Sequence, residues 1–302
     1  RKFLSLPNKA RPFSTLALPR QFVSPITKDK FIKIFAYPKQ KKTSKMDSLQ
    51  ATNEEVKAKY AEKWSAEQDE LHKQLIIDDV HGFSLDEDDD IPRLKYVGGV
   101  DISFSTKDDT QACTALCVLS YPDLKVVYED YEQVTLDAPY ISGFLAFREV
   151  KFFQQLLDKL KATKPELYPQ IVMVDGNGIW HPREFGSACH LGVVQDIPSI
   201  GVSKNVLFVD GITRDVVRQA ADNELHKGGD SFLIKGESGK TWGAIIKASD
   251  KQKQPVMLSP GHKISMEMAI QLVQDCCTFK IPEPIRQADL RSRDLVRKNG
   301  LQ

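Results

Sequence analysis

The stretch from Gln170 to Asn205, QIVMVDGNGIWHPREFGSACHLGVVQDIPSIGVSKN, limits what the rest of the chain can fold into. Ile171 to Val174 is a short apolar run rich in β-branched side chains, broken by a charge and then by Gly-Asn-Gly, which is how a buried strand passes into a tight loop. Asp175 therefore falls at the carboxyl end of a strand, the end at which open α/β sheets bind ligands. The glycines at 176 and 178 let a substrate approach the backbone closely. Past His181-Pro182-Arg183, apolar residues at Phe185, Ala188, Leu191 and Val194 carry helical spacing, and a second short strand, Ser199 to Val202, ends in Ser203-Lys204-Asn205. Two strand ends thus deliver a carboxylate and a lysine to one rim. Taken alone, Asp175 fits a turn-former or a helix cap equally well.

Two further carboxylates stand where charge is costly. Tyr96 to Phe104, YVGGVDISF, reads as a central strand with Asp101 inside it, and a buried aspartate needs pairing, hydrogen bonding or a metal. Strands over Ala112–Ser120 and Lys125–Val134, joined by Tyr121-Pro122-Asp123, complete an antiparallel meander. A helix over Phe144–Lys161 has Phe144, Leu145, Phe152, Phe153, Leu156, Leu157 and Leu160 on its core face. Glu149 lies one turn before Phe152 and Phe153, on the same side. Meander, helix, then parallel strand–helix–strand is the element order of a ribonuclease-H-like α/β domain, a mixed sheet flanked by helices. Asp101, Glu149 and Asp175, brought together, would suit a hard divalent cation such as Mg²⁺, which takes oxygen ligands at about 2.0–2.1 Å. Such a site serves phosphodiester chemistry. Lys204 would neutralise developing charge or place the water.

The remaining segments bound the reading. The net charge of +1 conceals a basic leader, residues 1–45, with 12 Lys or Arg against Asp29 alone. It is expected to be disordered, and either a transit peptide or sequence upstream of a start at Met46. Residues 46–302 are expected to form a single catalytic domain, with 46–92 a helical N-terminal extension and an acidic loop. That helix is predicted over Thr52–Ile77, and Asp86-Glu87-Asp88-Asp89-Asp90 reads as a solvated loop rather than a metal site. The five cysteines lack metal-site spacing and are expected to be reduced. No run approaches the roughly 18 apolar residues of a membrane span, so no membrane partner is expected. Thr213–Leu225 is either a helix or an irregular connection. GESGK, residues 236–240, reads as a hairpin turn rather than a phosphate loop, before a strand at Trp242–Lys247. A short strand at Val256–Leu258 ends in Ser259-Pro-Gly-His262. His262, in a turn ahead of the helix Ile264–Cys277, is either a structural histidine, as a lone His more often is, or one placed to ligate a metal or relay a proton. Pro282–Gln302 reads as a short surface helix.

Five segments, VGGVDISF, APYISGFLAFRE, MVDGNGIWHPREFGSACHLGV, IPSIGVSKN and LSPGHKIS, together resemble the endonuclease V family over roughly Tyr96–Asp289. The resemblance implies an endonuclease cutting one phosphodiester bond beyond inosine or deoxyinosine on its 3′ side and leaving a 5′-phosphate. It implies Asp101, Glu149, Asp175 and His262 as ligands of Mg²⁺, with Mn²⁺ as a substitute. Lys204 and, by a weaker match, Asp289 join them as catalytic residues. Pro139-Tyr140-Ile141 is implied as a wedge that fills the gap left by a flipped base. Gly143, Leu145, Gly176, Gly178 and His181 are implied as its pocket. Ser142, where many bacterial members carry proline, is similar to the eukaryotic, plant-like branch and favours inosine in single-stranded RNA over DNA. A non-catalytic inosine-RNA binding module is the alternative. The net negative body requires a local basic strip, for which Arg148, Arg183, Lys204, Lys235, Lys240 and Lys263 are candidates. A monomer is expected, in cytoplasm and nucleus, nucleolus included; the transit reading instead implies a chloroplast or mitochondrion.

Overall fold

The computed structural model describes residues 44–85 and 90–302, with side chains described from residue 54 onward. Residues 1–43 of the expected leader, and 86–89 of the acidic loop, lie outside the described residues. Lys57–Gln302 form one compact unit. Helix α1 covers Ser44–His72, starting and ending earlier than its sequence pattern indicates.

Eight strands form one sheet: β1 Tyr96–Phe104, β2 Gln111–Ser120, β3 Val126–Thr135, β4 Ile171–Asp175, β5 Ser199–Ser203, β6 Ser231–Lys235, β7 Thr241–Ile246 and β8 Val256–His262. Their spatial order is β3-β2-β1-β4-β5-β8-β7-β6, with β4 parallel to both β1 and β5 and every other pair antiparallel. This is the mixed, helix-flanked sheet that the sequence pattern predicts. Strand β6 carries no alternation strong enough to mark it in the sequence, and it pairs with β7 across the turn at residues 236–240.

The strands supply two faces because consecutive side chains alternate. Val172 and Val174 of β4 join Val100 of β1 in a core covered by helix α2, Ala146–Thr163, and helix α3, Ser187–Gln195. Phe153, Leu156, Leu157 and Leu160 are the buried stripe of α2, each burial contributing about 1.5–3 kcal/mol. Ile171 and Met173 face the other way, with Val97, into a core covered by α5, Met266–Asp275, and by Ile285 of α6, Glu283–Lys298. By the same alternation Gly99 and Asp101 lie on Val97's face of β1. The connection after β5 becomes a helix, α4 Arg214–Glu224, because Thr213 caps it: its hydroxyl accepts from the Val216 backbone N–H at 3.3 Å.

Two elements correct the sequence reading. The tail is no surface helix: α6 runs along β1 and β2 with Ile285, Ala288, Ser292 and Val296 buried. Its buried stripe contains a serine and an alanine, too small and too polar to announce a core face. The second correction is β8, which runs on through Pro260 to His262 instead of ending at Leu258. Proline lacks the N–H that a ladder needs, and it is tolerated here because the pairing with β5 slips at this point.

Gly99 is where α6 meets the sheet most closely. A β-carbon placed there would lie 2.1 Å from the Pro284 carbonyl group, so only glycine allows this approach. Gly99→Ala must push the start of α6 away, and the expected cost is about 1–3 kcal/mol of stability. A thermal melt of the variant checks this as a drop of several degrees in Tm; an unchanged Tm would contradict the packing.

Candidate active site

The register of the three central strands sets the site. Val100 of β1 pairs with Val174 of β4, which brings Asp101 level with Asp175, and Asp175 pairs with Val202 of β5, just before Lys204. Helix α6, laid along β1, adds Asp289 from the adjoining layer. One carboxylate oxygen from each of Asp101, Asp175 and Asp289 lies within 4.8 Å of the others. Lys204 Nζ donates to Asp175 Oδ2 at 2.7 Å and lies 3.5 Å from Asp289 Oδ1, which also pairs with Arg293 at 2.8 Å. Glu149 approaches from α2 and is 4% exposed.

These groups are electrostatically frustrated. Burial, followed by the charge of Asp175, pushes the Asp101 carboxyl up to about 7. Burial, then the charges of Asp101 and Asp175, pushes Glu149 up to about 8. Burial opposes the Lys204 ammonium, but the hydrogen bond to Asp175 and the charges of Asp175, Asp289 and Asp101 outweigh it and hold the lysine above its usual value. Lys204 and Arg293 stand against four carboxyl groups, two of which burial and crowding push toward their protonated forms. The donor set is all hard oxygen, and it fits a hard divalent cation.

Ser292 was not visible as a site residue in the sequence. Its hydroxyl donates to Asp101 Oδ2 at 2.6 Å and sits 2.8 Å from Ser103 Oγ. It lies three residues after Asp289, on the same helix face, so α6 both supplies one carboxylate and orients another.

His262 does not join this cluster. It pairs with Ser199, at the amino end of β5, whereas Asp175 and Lys204 lie past the carboxyl end. Four residues of strand, roughly 13 Å, separate the two levels. The imidazole is 2% exposed; its Nδ1 accepts from the Ile76 backbone N–H at 3.3 Å, and its Nε2 lies 3.8 Å from Asp196. The sequence reading of His262 as a metal ligand is therefore corrected: Pro-Gly suggested a turn facing the site, and the chain instead continues as a strand to the opposite edge. Asp289, by contrast, lies beside Asp101 and Asp175.

Next to the carboxylates lies a cavity of ≈ 140 Å³, lined among others by Tyr140, Gly143, Leu145, Gly176, His181 and Leu207. Tyr140 is 59% exposed, which is inconsistent with a residue that staples the start of a helix. Pro139 and Ile141 flank it without lining the cavity. Gly178 does not line it either: it is packed against the Pro260 carbonyl oxygen, which a β-carbon would approach to 2.0 Å, and its N–H donates to Ser259 Oγ at 3.0 Å. The missing side chain at 178 serves loop packing. Burial, then the charge of Arg183, lowers His181 to about 4, so at neutral pH it is an uncharged imidazole that hydrogen-bonds the Gly143 backbone. Leu207, three residues past Lys204, carries no sequence pattern that marks a pocket wall.

Helix α1 supports this cavity from behind. Trp64 stacks on Phe147 with centroids 5.1 Å apart, and Gln68 donates to the Phe185 carbonyl at 2.7 Å. Arg183 binds Gln68 at 2.5 Å and forms an ion pair with Asp69. The expected basic strip is thus largely committed elsewhere. Arg183 is paired with Asp69, Lys240 with Glu184, and Lys263 with Asp196 on the far side.

A family model described as Endonuclease V matches residues 81–290. The chain belongs to the endonuclease V family. Among its relatives, Endonuclease V of Mus musculus is 47% identical over 78% of this chain and 69% of its own length. That of Homo sapiens is 44% identical over 78% and 83%. The crystal structure of human ENDOV superposes with a TM-score of 0.73 at 43% identity, covering 79% of this chain and 99% of the other. Endonuclease V of Ciona intestinalis, solved with a 23mer DNA containing an inosine followed by a ribo-adenosine, gives 0.74 at 37% identity, covering 80% and 98%. The enzyme is an endonuclease. Helix α1 ends at His72, before the matched span begins, so the aromatic support that Trp64 gives beside the endonuclease V cavity lies outside the residues that the family model covers.

Two measurements test the electrostatics of this endonuclease V site. Asp101 and Glu149 keep protons in the folded state that the unfolded chain has already released, so metal-free stability should fall as pH rises from about 4 through 8. His181 and His190, both lowered from 6.5, cost stability only below that value, and the cysteine thiols, raised from 9.0 by burial, matter only toward pH 8 and above, so the range between about pH 6.5 and 7.5 isolates the carboxyls. Tm in EDTA should therefore decline between pH 6.5 and 7.5, and Mg²⁺ should raise it more at the upper limit; a Tm indifferent to both would contradict the cluster. Ser292→Ala removes the donor that orients Asp101, and calorimetric titration should show metal affinity weakened roughly 10- to 100-fold.

Proposed function

We propose that this endonuclease V family member is a divalent-metal-dependent nuclease that cuts the second phosphodiester bond 3′ to inosine in a single strand, with RNA the preferred backbone. The observation that carries the reading is a carboxylate trio within 4.8 Å, adjoining a cavity built from the same two strand ends. Gly176 follows Asp175 directly, and Leu207 follows Lys204 by three residues. Recognition and hydrolysis thus share one backbone.

Asp101, Asp175 and Asp289, with Glu149 behind them, would hold Mg²⁺, for which Mn²⁺ is a chemical substitute. Bound there, the metal would supply Lewis acidity toward the phosphate and a more acidic water. The protein's own groups do the rest. Lys204 Nζ, between Asp175 and Asp289, stays protonated and places positive charge where the leaving oxygen gains negative charge. Ser292 fixes the Asp101 carboxylate through its 2.6 Å bond. Tyr140, exposed at the cavity mouth, fills the gap left by an extruded base and stacks on its neighbour.

The cavity presents backbone groups of Gly143 and Gly176 and the neutral His181. A wall that donates to the hypoxanthine carbonyl is left unpaired by adenine, whose amino group donates at the same place, and such a mismatch is strongly discriminating. The Ciona strand places a ribonucleotide directly after its inosine, and this supports a ribose-reading site. Ser142 in the wedge loop supports the same choice.

Incubation with Mg²⁺ and four labelled strands, inosine or its unmodified parent base in RNA or DNA, tests the proposal. Cutting is expected in the inosine strands, faster in RNA, with a product ending one nucleotide beyond inosine. Asp175→Asn should lower kcat by at least about a hundredfold while inosine-strand binding persists, because direct ligands matter more than their outer partners. His262→Gln should keep kcat close to the wild-type value. Binding without cutting in the wild-type protein would favour the non-catalytic module instead.

A further inference from the structure

The loop after Lys204 holds an aromatic ring that neither the cluster nor the cavity uses. Phe208 is 58% exposed, although its neighbours are fixed. Val206 and Val209 pack against a core that includes Trp180, Ile212 and Trp242. The Leu207 carbonyl accepts from the buried Trp180 Nε1–H at 3.1 Å, and the Ile212 N–H bonds the Val209 carbonyl at 2.8 Å. A single exposed apolar side chain is ordinary on a protein surface. This one differs in its position and its company. Leu207, immediately before it, lines the cavity with Tyr140, and the catalytic Lys204 stands four residues earlier. The Arg214 guanidinium lies 6.0 Å from the ring centroid, at the limit of a cation–π contact. A rigidly based aromatic with an arginine beside it, one residue past the wall of a base-sized cavity, is what a stacked base and its phosphate require.

We propose that Phe208, with Arg214 beside it, is a second stacking platform that holds an unpaired base of the substrate strand next to the nucleotide in the cavity. The proposal rests on the single-strand nuclease reading above and adds a subsite to it. Tyr140 and Phe208 come from different segments, one before α2 and one after β5. The strand is thereby gripped at two places on the rim, and the extruded nucleotide is held under both. Because stacking accepts any base, the platform contributes affinity without sequence preference.

The test uses the full chain and fluorescence anisotropy of a labelled inosine RNA in EDTA, so binding is read whether or not the strand is cut. Phe208→Ala should raise Kd about tenfold on a strand with several nucleotides on both sides of inosine, and KM in Mg²⁺ should rise in parallel. Phe208→Trp should restore binding, which a purely structural defect would not allow. Strands shortened from one end and then the other should lose the difference between wild type and Phe208→Ala when the platform's base is removed. A Kd within twofold of wild type on the long strand, or a loss that persists unchanged on the shortest one, would overturn the platform. Failure of the wild-type enzyme to cut inosine strands would instead overturn the proposed function, and the EDTA comparison would still decide the platform.

Discussion

Mutual repulsion among buried and half-buried carboxylates is the constraint around which this protein is organised. Asp101, Asp175 and Asp289 crowd within 4.8 Å, and Glu149 adds a fourth acid that burial and its neighbours push up to about 8. No local preference would bring these groups together. They are held by covalent continuity with elements whose apolar burial is far larger than the repulsion: Val172 and Val174 on one side of β4, Ile171 and Met173 on the other. A rigid sheet keeps charges close that would separate in a flexible loop. The unfavourable proximity is the property that would make a cation bind, since a relaxed site would have no charge to neutralise.

Strand direction decides which residues share that site. β1, β4 and β5 run parallel, so Asp101, level with the carboxyl end of β4, meets Asp175 and Lys204 on one edge. β8 is antiparallel to β5, and its last residue, His262, is carried to the other edge. Chemistry at that end is structural, with His262 and Lys263 tied to Asp196 and the Ile76 backbone. Side-chain type alone could not separate these cases, because a histidine suits either edge.

The same distinction explains what was legible in the sequence. Asp101, Asp175 and Lys204 interrupt or end apolar runs, and a charge at such a place is visible in one dimension. Glu149 was visible through the helical spacing of Phe152 and Phe153. Asp289 was legible only through family resemblance, because the buried side of α6 uses Ala288 and Ser292, which look like surface residues until Gly99 is seen to admit the helix backbone. Ser292, Leu207 and the Trp64 support on Phe147 depend on contacts between distant segments, for which a single sequence holds no periodic signal. Gly178 has a packing role that the sequence hides for a related reason. A glycine beside a catalytic loop suggests access for a ligand, and here it gives access to the Pro260 carbonyl.

Placing the cavity and the carboxylates on the same strand ends has a mechanical consequence for the proposed reaction. Asp175 and Gly176 are consecutive, and Lys204 is joined to Leu207 through a segment whose carbonyl is bonded to Trp180. The distance between a base held in the cavity and a phosphate held by the carboxylates is therefore fixed by backbone, not by a hinge. A nucleotide chain has its own fixed spacing, so one bond alone can lie over the acidic cluster when the base is seated. Cutting at a constant offset from the recognised nucleotide needs no separate measuring element. It follows from two adjacent residues facing two different ligand groups, and the bond within reach is the one that the strand's geometry brings over Asp101, Asp175 and Asp289.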